Sequence, residues 1–168
     1  MLVIYLLADT WIKMSLNPAS LSRHQGGFDA VTGDNIQILH DNNHWVTSAY
    51  FDRKVFILDS LRHQLSSYVF TQLHQLYATF VGENGKLPVT IIPCARQTNA
   101  TDCGVYAAAF AFQLAIEGKD GLTHMQGFDA DKMRSHFLHC LENSIVAPFP
   151  HIRLSKRGRK ALNMHIEV

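Results

Sequence analysis

The chain has 168 residues, 47 % of them hydrophobic and 17 % charged, with a formal net charge of +1 at pH 7. That length suits one domain with a sizeable core, and the near-zero charge argues against a polyanion-binding role for the molecule as a whole. The three cysteines, Cys94, Cys103 and Cys140, include no CxxC pair, which argues against a disulfide framework and fits a reducing compartment, the nucleus or cytoplasm.

The opening MLVIYLLADT is apolar but brief. It lacks the basic start of a secretory signal and is too short to span a bilayer. A buried first helix or strand is expected, and the abrupt apolar start also fits a truncated N-terminus. From Asn17 to Asn35 the chain is rich in Ser, Gly, Asn and Asp and reads as loop. IQILH (36–40) reads as a strand. HWVTSAYF (44–51) and KVFILDS (54–60) are two further β-rich runs, and the Asp52-Arg53 pair between them suggests a hairpin without the usual glycine.

Apolar residues at 65, 68, 69, 73, 76, 77 and 80 have helical spacing with one buried face. GENGK (82–86) is a turn, and LPVTIIP (87–93) is a strand whose lack of alternation predicts burial on both faces. From Cys103 to Ile116 nearly every residue is small or apolar, which predicts a helix buried all round and ended by Gly118 and Gly121. FDADKMRSHFLHCLEN (128–143) reads as an amphipathic helix with an acidic first turn, its Phe137, Cys140 and Leu141 turned to the core. Pro148 and Pro150 follow, and the basic end, KRGRKALNMHIEV, reads as a mobile tail. The organisation expected is one domain over 1–150, with a divergent or truncated part at 1–35, and a tail at 151–168. The fold class is α+β: a central, mostly antiparallel sheet flanked by helices.

One constellation carries chemistry. Cys103 stands where a loop becomes a helix, and the free N–H groups and dipole of a helix start favour a thiolate. Gly104 follows it and leaves room for a substrate backbone. His44 heads one strand of the expected hairpin and Asp59 ends the other. Antiparallel pairing makes them neighbours, so the carboxylate can orient the imidazole. Gln97, six residues before Cys103, can donate to a developing oxyanion together with backbone N–H groups near the cysteine. Each residue alone has a plainer reading: a buried thiol, a surface histidine, a strand-capping aspartate, a solvated glutamine.

Taken together, HW (44–45), LDSL (58–61) and Q…DCGVY (97–106) resemble the ubiquitin-like-protein-specific cysteine proteases, the sentrin-protease type that is also similar to the adenovirus protease. The resemblance runs from about Ile36 to Ile116, and its order of His, Asp, Gln, Cys differs from that of papain, where the cysteine comes first. It implies a papain-like fold of this type with a buried helix headed by Cys103. It implies His44 as general base and then acid, Asp59 as its orienting acid rather than Asp102, and Cys103 as a nucleophile forming a thioester. Gln97 and the Cys103 N–H become the oxyanion hole. Trp45 becomes the cover of a narrow channel that admits a diglycine tail. The activity implied is cleavage after the C-terminal diglycine of a SUMO- or NEDD8-like modifier, with no cofactor, and the partner is that modifier or its conjugates, bound by a monomer without membrane or nucleic acid. A catalytically inactive modifier-binding domain and a related acyltransferase are the alternatives. The family's upstream Trp-Leu-Asn-Asp-like string has only a poor echo here, in WIKMSLN around Trp11.

Other clusters rank lower. His136, His139 and Cys140 fall on one predicted helix but lack a second ligand pair at zinc-site spacing. KRGRK is a short basic run, more often solvated than a nuclear-import or nucleic-acid signal. Tyr106, Phe110 and Phe112, at helical spacing, are core.

Overall fold

The computed structural model describes residues 3–5, 13–16, 30–61, 64–152 and 164–167, and for the first two and the last of these stretches the backbone alone. Trp11 and most of the expected 17–35 loop lie outside the described residues. Among the described residues seven strands form one sheet in chain order: β1 (Val3–Tyr5), β2 (Lys13–Leu16), β3 (Asn35–Asp41), β4 (His44–Phe51), β5 (Lys54–Leu58), β6 (Pro88–Ile91) and β7 (Met164–Glu167). β2–β3 and β5–β6 are parallel, and the other four neighbouring pairs are antiparallel. Among the described residues three α-helices accompany them: α1 (Ser67–Leu76), α2 (Cys103–Glu117) and α3 (Ala130–Asn143).

The alternation of β3, β4 and β5 explains the layers. Ile36, Ile38, Ala49, Phe51, Phe56 and Leu58 face one side and pack with Phe110 and Phe112 of α2. Leu39, Val46, Tyr50, Val55 and Ile57 face the other and pack with Val69, Leu73 and Leu76 of α1. Successive residues of a strand point to opposite faces, so a sheet apolar on both faces must be covered twice. Each large apolar side chain buried this way is worth about 1.5–3 kcal/mol. The result is an α+β fold with a two-faced central sheet. Among the described residues no helix is long and apolar enough to cross a membrane.

Local chemistry sets the boundaries. The hairpin turns at Asp52 and Arg53, with φ of 49° and 63°. Positive φ at both central residues is what a type I′ turn requires, and this turn meets it without glycine. Arg53 carries strain of about 1 kcal/mol there, so Arg53→Gly should stabilise the protein by about 0.5 kcal/mol after the entropy cost of glycine. Thermal melting should show a rise of about 1–2 °C; a fall would mean that the arginine side chain contributes more than its backbone costs. α1 starts later than its apolar spacing suggests because Ser66 caps it, accepting from the Val69 N–H at 3.2 Å.

Three expectations need correction. α2 is buried from Tyr106 to Leu114, but Ile116 is 43 % exposed, because the helix outruns the sheet that it covers. It does end at Gly118, as expected; this residue takes φ 60°, and a separate 3₁₀ turn runs on through Gly121 to His124. On α3 the buried pair is Met133 and Cys140, two turns apart, which rotates Leu141 to the exposed side. The basic end is not all tail, since Met164–Glu167 pairs antiparallel with β6 from Pro88↔Glu167 to Ile91↔Met164. Residues 153–163 lie outside the described residues.

Candidate active site

β3 and β4 are joined by the tight Asn42-Asn43 turn, with Asn42 at φ 56°. That turn fixes His44 as the first residue of β4, buried and opposite Asp41. The hairpin register pairs Thr47 with Leu58, so its continuation would set Asp59 opposite Val46. The strand instead ends at Leu58. Asp59 folds its carboxylate back so that Oδ1 accepts from the Leu61 N–H at 2.8 Å and meets His44 Nε2 at 2.7 Å.

This geometry assigns the tautomer. An ionised carboxylate only accepts hydrogen bonds, so the neutral imidazole must carry its proton on Nε2. Nδ1 is then the basic nitrogen. It is buried and has no hydrogen-bond partner among the described residues, a rare state for a buried polar atom unless it serves a function.

The strand that carries His44 also positions α2. Thr47 Oγ1 donates to the Ala107 carbonyl at 2.9 Å. One turn earlier, a Cβ placed on Gly104 would lie 3.5 Å from Trp45 Cδ1. Strand and helix therefore run side by side in the same direction, and Cys103, at the head of the helix, lies at the His44 end of β4. Cys103 is 7 % exposed. The side chain of Asp102, the residue before the helix, makes no cap bond to it and instead pairs with Arg134 and Asn99.

Trp45 is half-buried, its indole tilted against the His40 ring with centroids 4.6 Å apart. It also lies along the bare Cα of Gly104. A Cβ at this position would make only ordinary van der Waals contact with the indole, so the approach of Trp45 does not by itself require a glycine.

Gln97 is buried behind the same corner. Its backbone N–H donates to the Ser60 carbonyl at 3.0 Å. Its Oε1 accepts from the Ser60 hydroxyl at 2.6 Å, and its Nε2 donates to the Asn99 carbonyl at 2.6 Å. Further bonds hold the segment after β5: the Cys94 thiol donates to the Asp59 carbonyl at 3.3 Å, and Arg96 donates to the Asp59 and Leu61 carbonyls. Burial pushes the Cys94 thiol from its ordinary 9.0 up to about 12. Sequence reasoning missed Cys94, Arg96 and Ser60 as parts of this corner. Ser60 had a visible signal, its place inside LDSL; the other two did not.

The structure therefore brings His44 and Asp59 into contact, sets Trp45 and Gly104 against each other, and ties Gln97 to the residue after Asp59. The lower-ranked zinc cluster divides: Cys140 Sγ lies 3.4 Å from His136 Nε2, while His139 Nδ1 turns to Asn143 at 3.1 Å. Among the described residues no group of three or more His, Cys, Asp and Glu is placed to hold a metal ion.

No family model matches the chain, and no curated protein matches it. Among solved structures it is similar to the SUMO protease Ulp1 with its catalytic cysteine oxidised to a sulfenic acid, at 20 % identity and TM-score 0.46, over 66 % of this chain and 52 % of that one. It is similar at 19 % identity and TM-score 0.46 to the C-terminal Ulp1 protease domain in complex with Smt3, the yeast ortholog of SUMO, over the same shares. A de-sumoylating protease matches at 15 % identity and TM-score 0.41, over 67 % of this chain and 52 % of that one. The chain thus spans about half the length of these structures.

Proposed function

We propose that the protein is a cysteine peptidase or isopeptidase that cleaves after the C-terminal diglycine of a ubiquitin-like modifier of the SUMO or NEDD8 kind. The observation that carries this is the state of His44. Its Nε2 is held by Asp59 at 2.7 Å, and its basic Nδ1 is buried and, among the described residues, unpartnered at the strand end where the Cys103 helix begins. A buried base with nothing to bond is costly unless a proton donor arrives there, and a thiol is such a donor.

The chemistry follows from those atoms. His44 Nδ1 takes the Cys103 thiol proton as Sγ bonds to the scissile carbonyl carbon. The oxyanion accepts from Gln97 Nε2 and the Cys103 N–H. Collapse breaks the C–N bond, and His44 returns the proton to the leaving amine, giving a thioester and a free amine. Water, deprotonated by the same imidazole, then hydrolyses the thioester and frees the thiol. Trp45, fixed between His40 and Gly104, forms the roof of the approach, where only residues without side chains pass. The motif resemblance supplies the diglycine and the modifier class; the enzyme works as a monomer with no cofactor.

The test is a panel of ubiquitin-like modifiers bearing C-terminal vinyl sulfones. Cys103 is expected to form a thioether with at least one, read as a mass increase that Cys103→Ala abolishes. If no modifier labels folded protein whose Cys103 still reacts with iodoacetamide, the modifier reading is wrong.

A further inference from the structure

We propose that Ser60 is a positioning residue for the oxyanion hole, acting through Gln97; this rests on the peptidase reading above. Ser60 is 1 % exposed. Its hydroxyl donates to Gln97 Oε1 at 2.6 Å while its carbonyl accepts from the Gln97 N–H at 3.0 Å. Two bonds between the same two residues fix both the backbone and the side chain of Gln97.

The orientation of the amide follows. Oε1 and Nε2 could in principle exchange places, since an amide presents an acceptor on one side and donors on the other. The Asn99 carbonyl, 2.6 Å from Nε2, can only accept, so an exchanged amide would set two acceptors against each other. The Ser60 hydroxyl donates on the opposite side. Together they hold the amide with its donors on one side, and Nε2 carries a second hydrogen beyond the one given to Asn99. An oxyanion hole accelerates a reaction only when its donors stand in place before charge develops.

Ser60 also directly follows Asp59, whose carboxylate holds His44. One short stretch after β5 thereby sets the base through one residue and the oxyanion donor through the next. A shift of this stretch would disturb both together, which accounts for its being tied to Cys94 and Arg96 by further bonds.

The experiment measures acylation of Cys103 by acetyl-Gly-Gly p-nitrophenyl ester as a nitrophenol burst. Alkylation by iodoacetamide is measured in parallel. Alkylation displaces iodide at a saturated carbon, so it needs the thiolate but no oxyanion hole. Gln97→Ala should slow acylation by about 10²–10³-fold. Ser60→Ala should slow it by about 10- to 10²-fold through kcat, with KM and the alkylation rate near wild type. In the Gln97→Ala background, Ser60→Ala should cost almost nothing more.

A Ser60→Ala protein that acylates at the wild-type rate, or whose alkylation falls in step with its acylation, overturns the positioning role. If Ser60→Ala alone fails to fold, the double variant, which leaves no orphaned acceptor on Gln97, is compared with Gln97→Ala. Equal acylation supports the proposal, and a further loss beyond about tenfold overturns it. A wild-type protein that gives no burst at all overturns the peptidase reading itself, and this inference with it.

Discussion

Cys103→Ala will reduce turnover of a modifier tail ending in Gly-Gly-aminomethylcoumarin by at least about 10⁴-fold, the scale of losing a nucleophile that works with a base. It will cost about 1 kcal/mol of stability or less, because it trims one atom at a helix start and leaves no polar group unpaired. Cys94→Ser gives the opposite pattern. Cys94 is buried, belongs to the core, and donates to the Asp59 carbonyl at 3.3 Å. Serine keeps that donor, so most of the turnover survives, while placing a hydroxyl in the apolar site costs about 1–2 kcal/mol. Turnover and thermal melting of the two variants are the measurements. A dead Cys94→Ser beside a live Cys103→Ala would exchange their roles.

Burial also gives Cys94 its own pH signature. The unfolded chain's Cys94 releases its proton from about its ordinary 9.0, whereas burial holds the folded one to about 12. The folded state therefore binds the proton over that window. The stability associated with Cys94 is complete below pH 9 and is lost as pH rises toward 12. At pH 8 Cys94 remains a protonated, buried thiol.

The separation of helix from strand was legible because both periodicities are strong: the β4–β5 hairpin falls where Asp52-Arg53 predicts it, and α2 begins at Cys103 as its apolar run suggests. What one sequence could not give was phase at the margins. Leu141 is exposed because the buried face of α3 centres on Met133 and Cys140, turned by less than half of one residue's angle from the expected face. Nor could a basic composition reveal that Met164–Glu167 completes a sheet edge, since edge pairing uses backbone groups that every residue carries. In the site, the partnership of His44 and Asp59 was legible from hairpin logic. The route was different: register alone sets Asp59 opposite Val46, and the bond forms because the chain turns at Asp59, with Leu61 N–H holding the carboxylate. Gly104 is the instructive case. Its small size is visible in sequence, but the indole that lies against it comes from a strand about sixty residues earlier.

The orientation of His44 yields the second large effect, because the two conservative ways of removing the Asp59 charge should diverge. Asp59→Ala leaves Nε2 and the Leu61 N–H without an acceptor. Either ring nitrogen can then hold the proton, so Nδ1 is no longer kept basic, and the imidazolium formed when the thiol gives up its proton has no counter-charge. Turnover should fall by about 10³–10⁴-fold. Asp59→Asn behaves differently here. The Leu61 N–H, 2.8 Å from Oδ1, selects the amide oxygen for that position, and the oxygen still accepts from Nε2–H. The tautomer is preserved and only the charge is lost, for a fall of about 10- to 10²-fold. Both variants cost about 1–3 kcal/mol of stability from weakened or unpaired buried groups, so rates are normalised to the folded fraction titrated with iodoacetamide at Cys103. The order wild type, then asparagine, then alanine is the expected result. If asparagine were as damaging as alanine, the carboxylate would act through its charge alone, and Nδ1 would lose its assignment as the base.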